Sequence, residues 1–290
     1  MKAGTFTTIF RTRDVSISQV PVLESLRRCK KAGFESVDLS MTTLLDNNTE
    51  LNGKNWEEET DRIIGEAEKL CLSMPQAHLP YRHSFTPRYA DDEFEKFFGE
   101  ITKRGILICE KAGIPWAVVH PATCAPDKLY SMEENLKINH ELFDPVVAFA
   151  NERGVGIAFE NMNDRNGKRR FCAEASELKE LIGSFGSARA GACWDFGHGN
   201  LKYDDPALPI RTLGPLLKAV HMADNHGEKD EHTLPYLGTI DWRAVISVLR
   251  EVGYQGDFIY ELGVIDHYPD ALKDDAAAFA AKTAKFLLSL

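Results

Sequence analysis

The sequence predicts an α/β fold, a single (β/α)8 TIM barrel spanning residues 1–290. Three observations predict it. Short apolar runs alternate with amphipathic helical stretches along the whole chain. The same glycine-marked join recurs where a helix hands over to a strand. An acidic or imidazole side chain closes one apolar run after another. Alternation of this kind, with each run apolar almost throughout, is the pattern of a parallel sheet covered by helices.

In chain order, strands are expected near 3–9, 36–40, 73–79, 116–120, 156–160, 190–195, 217–223 and 257–262. The joins leading into four of them read alike. Lys31-Ala32-Gly33-Phe34 precedes the second strand and Lys111-Ala112-Gly113-Ile114 the fourth. Glu152-Arg153-Gly154-Val155 precedes the fifth and Glu251-Val252-Gly253-Tyr254 the eighth. In each, a charged last helical turn is followed by a glycine able to take the left-handed cap conformation. Between the strands, Trp56, Thr60, Ile63, Ala67, Leu70 and Cys71 fall at helical spacing within 55–71. Phe94, Phe97, Phe98, Ile101 and Ile108 do the same in 91–112. Pro145 is expected to kink the helix over 132–152 or to start a new turn there. The pattern at 206–212 is weak. A doubly wound sheet is the competing architecture, but no glycine-rich phosphate turn follows the first strand. Long polar loops at 41–54, 161–172 and 223–239 follow strands, and so belong at the mouth of a barrel that carries chemistry.

Composition sets limits on function. The 290 residues are 43% hydrophobic and 27% charged, ordinary for a soluble globular chain, and no apolar run is long enough to cross a bilayer. The N-terminal stretch lacks the apolar segment of a secretory signal, so a cytoplasmic protein without membrane partners is expected. Six scattered cysteines with no C-x-x-C pair give neither a disulfide frame nor a zinc finger; Cys29, Cys71 and Cys109 read as small helical hydrophobes. A net charge of −10 argues against bulk attraction to nucleic acid. A homo-oligomer is compatible with everything read here.

The strand ends carry the functional signal. QAHLP ends in His78, AVVHP in His120, IAFEN in Glu160, ACWDFGH in Asp195, KAVHMAD in His221 and FIYEL in Glu261. An isolated histidine or carboxylate at a strand end is usually hydrogen-bonded locally or ion-paired. Six in phase with the strand repeat are not explained that way. Buried carboxylates require partners, and a shared cation satisfies them together. Trp116 and Trp194, near these positions, read as packing residues.

On these residues the chain resembles the xylose isomerase-like barrel superfamily, and within it the sugar phosphate isomerase/epimerase proteins related to ketose 3-epimerases. FEN at Glu160, D-F-G-H at Asp195–His198, H-x-x-D at His221–Asp224, L-G-T-I-D-W at 237–242 and YE at Glu261 carry the resemblance in order. It implies one divalent metal ion, Mn²⁺ or Zn²⁺ with Mg²⁺ or Co²⁺ as further options, held by Glu160, Asp195, His221 and Glu261. Endonuclease IV, more distantly similar, implies a trinuclear zinc site. Its ligand types are matched by His78, His120, Glu160, Asp195, His198, His221, Asp230, His232 and Glu261.

The resemblance implies a metal-dependent isomerase or epimerase acting on a ketose or sugar phosphate. Glu160 and Glu261 would exchange a proton with the carbon beside the carbonyl, through an enediolate. His198, His78 and His120 would contact substrate, with Asp230 and His232 as additional metal or substrate ligands. Two alternatives share the scaffold: a zinc-dependent phosphodiesterase acting on abasic DNA, disfavoured by the acidic charge, and a lyase like the inosose dehydratases. Lys168-Arg169-Arg170, with Arg165 nearby, could meet a substrate phosphate but reads more simply as a solvated charged loop; Arg82 and Arg88 are open in the same way.

Overall fold

Eight parallel strands, each followed by helix, make up the computed structural model, which describes residues 1–11, 20–45, 50–82, 91–124, 130–165 and 167–290. The strands are β1 (Ala3–Phe6), β2 (Ser36–Ser40), β3 (Ser73–His78), β4 (Trp116–Val119), β5 (Gly156–Glu160), β6 (Ala190–Asp195), β7 (Leu217–His221) and β8 (Phe258–Tyr260). Around them lie α1 (Val22–Ala32), α2 (Trp56–Lys69), α3 (Asp92–Ala112), α4 (Met132–Glu152), α5 (Ala175–Ser184), α6 (Phe196–Asn200), α7 (Ala207–Leu213), α8 (Trp242–Glu251) and α9 (Asp270–Leu288). Neighbouring strands pair in the order β7-β6-β5-β4-β3-β2-β1-β8. The remaining seam, between β7 and β8, is closed one residue past β7. There Met222 bridges Tyr260, and its amide donates to Ile259 O at 2.8 Å. The barrel predicted from sequence is therefore present, strand for strand; β2, β5 and β6 have the expected bounds and the other five are shorter by one to three residues.

The joins behave as their glycines require. Gly33, Gly113, Gly154 and Gly253 have φ of 102°, 66°, 71° and 69°, the left-handed region that side chains avoid. Helix starts are fixed by acidic or hydroxyl caps: Asp91 accepts from the amides of Glu93 and Phe94, Ser131 from Glu134, and Asp241 from Arg243 and Ala244. Pro145 lies inside α4, which runs unbroken from Met132 to Glu152, so no new helix begins there. The weak stretch at 206–212 is the short helix α7. Cys71 departs from expectation. It sits past the end of α2 with φ of 51° and is exposed, so it contributes nothing to the core.

Two apolar layers result. Most of the core lies between strands and helices, where Phe34, Phe159, Trp194 and Trp242 are buried. Inside the barrel, Val118, Ala158, Cys193 and Ala219 form a small cluster against Trp116. Trp116 starts β4 and so stands at the end of the strand away from His120; it fills the barrel floor. A Cβ on Gly156 would lie 2.3 Å from its ring. Both tryptophans are packing residues, as expected. Small side chains and a plugged floor leave the opposite end, where the strands terminate in polar groups, as the open one.

Candidate active site

The strand ends bring Glu160, Asp195, His221 and Glu261 together, with one ligating atom of each within 4.8 Å of the others. His221 Nδ1 lies 3.2 Å from Glu160 Oε1 and 3.2 Å from Glu261 Oε2. Neither ring nitrogen of His221 completes a hydrogen bond, nor does Asp195 Oδ2, and all three are buried. Buried polar atoms left this way are costly unless something else meets them. Three carboxylates and one imidazole, converging with orphaned atoms, fit a hard-to-borderline divalent cation.

Two further groups flank this set. His78 and His120 meet Glu160 Oε2 at 3.2 and 3.1 Å. His198 and His232 meet Asp230 Oδ2 at 3.1 and 3.2 Å. Their ring orientations are informative. His78 Nδ1 lies 2.8 Å from Leu79 O, His198 Nδ1 2.8 Å from Asn161 O, and His232 Nδ1 2.9 Å from Glu261 O. A carbonyl only accepts, so Nδ1 carries the proton in all three and the neutral ring presents a bare Nε2. Each bare Nε2 faces a carboxylate oxygen, which is repulsive until a proton or a cation lies between. Backbone-oriented imidazoles of this kind are the usual ligand arrangement of metal proteins.

Electrostatics agree. Burial opposes charge on these histidines, yet Asp195 and Asp230 push His198 up to about 10. Asp230 and Glu261 raise His232 well above the ordinary histidine range. His120, where burial outweighs the attraction of Glu160, is lowered to about 4 and is neutral. Burial would raise Glu160, but His221 and His120 hold it well below the usual carboxylate range; Glu261, facing His221, is held at about 2. Asp195, whose desolvation His198 and His232 offset only in part, is pushed up to about 6. Every sequence-assigned site residue thus reaches the mouth.

Sequence reading missed the supports. Asp38 on β2 is fully buried. It accepts from Gln76 Nε2 at 2.8 Å and the His78 amide at 3.0 Å, and lies 3.9 Å from His221 Nε2. The charge inside S-V-D-L-S was its signal. Asn161, the last letter of FEN, locks β5 to β6, donating to Asp195 O at 3.0 Å and accepting from Asp195 N at 2.6 Å. Asp195 in turn caps α6 through the His198 amide at 2.6 Å, which sets His198 one turn further on.

The loop bearing Asp230 and His232 is organised by Asp224. This buried carboxylate accepts from the amides of Asn225, Tyr236 and Ile240 and from Trp242 Nε1 at 2.7 Å. A Cβ on Gly238 would lie 2.2 Å from Asp224 Oδ1, so L-G-T-I-D-W is a glycine-dependent wrap around one carboxylate. Asp224→Ala is expected to cost about 3 kcal/mol, because it strands several buried donors at once. Chemical denaturation checks this, and a loss below about 1 kcal/mol would contradict the assignment.

The basic run behaves unevenly. Arg165, Lys168 and Arg169 are exposed, but Arg169 is bound to Glu177 at 2.6 Å and Arg170 is buried. The expectation of a solvated loop is therefore wrong for Arg170, because the loop folds back and seats it at the mouth. Arg82 forms a two-pronged pair with Glu95 over the Phe98 ring, a structural role. Arg88 lies outside the described residues.

Fold and site together define a barrel whose strand ends carry groups of acidic and imidazole side chains that could hold a metal ion. Residues 26–282 match the family model described as xylose isomerase-like TIM barrel, and the chain belongs to that family. It is 31% identical over 165 residues to an uncharacterized protein of Sinorhizobium fredii, a match covering 56% of this chain and 51% of that one. The matched stretch is thus about half the length of that relative. Among solved structures, a D-psicose 3-epimerase in the presence of D-fructose superposes over the whole of both chains with TM-score 0.77 at 17% identity. The IOLI protein with a binding zinc atom superposes over 100% of this chain and 98% of its own, with TM-score 0.75 at 18% identity. At these identities the likeness is one of fold.

Proposed function

We propose that this chain, acting as one barrel domain in the cytoplasm, is a metal-dependent isomerase or epimerase of a ketose or sugar phosphate. The observation that carries the reading is the convergence of Glu160 and Glu261, from strands three apart around the barrel, on one imidazole nitrogen at 3.2 Å each. Glu160, Asp195, His221 and Glu261 would hold one divalent ion, Mn²⁺ or Zn²⁺. When bound, the ion supplies polarisation of a carbonyl and its neighbouring hydroxyl. The protein does the rest. A cavity of about 640 Å³, lined among others by His120, Glu160, His198 and Glu261, is large enough for a hexose. Glu261 is partly open to it and, held ionised, can take a proton from the carbon beside the carbonyl. Glu160 is sealed on its histidines and stays charged, a second carboxylate to receive or return the proton. Return to the opposite face of the same carbon gives the epimer; return at the neighbouring carbonyl carbon gives the aldose. The similarity to a D-psicose 3-epimerase supports this choice of chemistry.

The test is proton exchange. Metal-loaded protein incubated in D₂O with a panel of ketoses is expected to place deuterium on the carbon beside the carbonyl of at least one, detected by NMR. Exchange with none of them would contradict the reading, and release of water with a dehydrated product would move it to the lyase alternative. One observation favours a second reading, a phosphodiesterase similar to endonuclease IV: the two flanking groups present bare Nε2 atoms suited to further zinc ions. The net charge of −10 weighs against a DNA substrate. Clean incision of an abasic-site duplex would decide for it.

A further inference from the structure

Arg170 is a buried charged group at the mouth that the chemistry above does not use. It is 8% exposed, follows β5, and lines the same 640 Å³ cavity as Glu160, His198 and Glu261. It also borders a smaller space of about 280 Å³ reaching between α3 and α4. Its side-chain partners are poor. Nη1 donates to Asn163 Oδ1 at 3.2 Å, Nη2 contacts Met162 Sδ at 2.8 Å, and Nε is buried with no acceptor. Among the described residues none forms an ion pair with it. Its neighbours in sequence differ: Arg169 is bound to Glu177 and lies 4.3 Å over the Tyr130 ring. A buried guanidinium almost always has a carboxylate, since leaving it unpaired costs several kcal/mol.

The carboxylates near Arg170 have other partners: Asp164 accepts the Arg170 amide through Oδ1 at 3.0 Å and faces Lys202 through Oδ2 at 3.7 Å. Glu160 is shared among His78, His120 and His221, and Asp230 between His198 and His232. A cation at the strand ends would neutralise Glu160 further. What remains is a planar cation with unfilled donors on the wall of the substrate cavity. Guanidinium geometry matches the paired oxygens of a carboxylate or phosphate, and such charge-assisted pairs are strong where water is excluded.

We propose that Arg170 reads an anionic group on the substrate, so that the sugar taken by this cavity carries a carboxylate or a phosphate. The inference rests on the sugar-enzyme reading above and narrows its substrate class. A phosphate ester and a sugar acid present the same oxygens, and binding separates them.

Calorimetry on metal-loaded protein would compare D-fructose, D-fructose 6-phosphate and D-fructuronate as probes, in wild type, Arg170→Gln and Arg170→Lys. Wild type is expected to bind one of the two anionic ketoses about tenfold or more tightly than D-fructose, and the tighter one identifies the anion. In Arg170→Gln that preference falls by about tenfold or more, while Arg170→Lys, keeping charge without the fork, retains part of it. Metal content is measured alongside. Equal binding of all three probes by metal-loaded wild type overturns the proposal, and needs no variant to fold. So does an Arg170→Gln protein that loses its metal but keeps the preference, since Arg170 would then only offset the carboxylates. Failure of wild type to hold metal at all would instead count against the sugar-enzyme reading itself.

Discussion

Glu261→Gln is expected to lower turnover by about a thousandfold or more, the usual scale for removing a positioned proton carrier. Glutamine keeps the shape but can neither bear the charge that His221 stabilises nor accept a proton. The loss should persist at saturating metal, because it lies in the proton step as well as in ligation. Glu160→Gln is expected to lose as much activity and to weaken metal binding further. Glu160 is buried and serves three imidazoles, at 3.2 Å to His78, 3.1 Å to His120 and 3.2 Å to His221. A glutamine there replaces an acceptor shared by all three with one oxygen and an NH₂ donor. Rates at several metal concentrations separate the effects. Either variant turning over within about tenfold of wild type would remove the two-carboxylate mechanism.

The second large effect is on stability, and its sign follows from the buried titrating groups. In the metal-free protein His198 is held at about 10, His232 is raised, and Asp195 is pushed up to about 6. A group whose pKa rises on folding contributes stability that is complete below its unfolded value and disappears as pH climbs through the folded one. For His198 that window opens near about 6.5 and closes near 10, and His232 acts with the same sign; for Asp195 it has closed by about 6. Glu160, Asp230 and Glu261 are depressed and have the opposite sign, but their contribution is lost only in acid, below about 4.5. Metal-free protein should therefore lose stability between neutral pH and about 10, as protons leave a cluster of mutually repelling acceptors.

A cation bound there would take the place of those protons, so metal-loaded protein should hold its Tm over the same range. At metal a thousandfold above Kd the stabilisation is about 4 kcal/mol. Thermal unfolding in EDTA and in Mn²⁺, from about pH 6.5 to 9.5, is expected to show a gap that widens with pH. A gap that is absent, or that narrows toward high pH, would mean the cluster is held by protons alone.

How far the sequence revealed this site depends on distance along the chain. The eight strands were legible because each is a short apolar run, and the glycines before four of them have no other local explanation. The convergence of Glu160, Asp195, His221 and Glu261 was legible for the same reason: each closes such a run, so the strand repeat assigns them to one end. Asp38 was not, since nothing local says whether a single charge in a strand faces the barrel interior or the helices; Gln76 and His221, far along the chain, settle that. Arg170 was misread because a run of three basic residues is normally solvated. Its burial depends on how residues 161–172 fold back over β5, with the Arg170 amide bound to Asp164 Oδ1 at 3.0 Å and the Phe171 amide to Thr123 Oγ1 at 3.0 Å. Asp224 lay in plain view within H-x-x-D, but its role as the hub of the following loop required the partners at 236, 240 and 242.

The most direct test of the shared-cation site is a metal titration with stoichiometry. Protein stripped with chelator, dialysed against Mn²⁺ or Zn²⁺ and assayed by elemental analysis is expected to retain one tightly bound ion per chain. Asp195→Asn and Glu261→Gln, each trading one of the four donors' charged carboxylate for a neutral amide, should retain less of it under the same dialysis. Retention of no ion by wild type, or unchanged retention by both variants, would contradict the account.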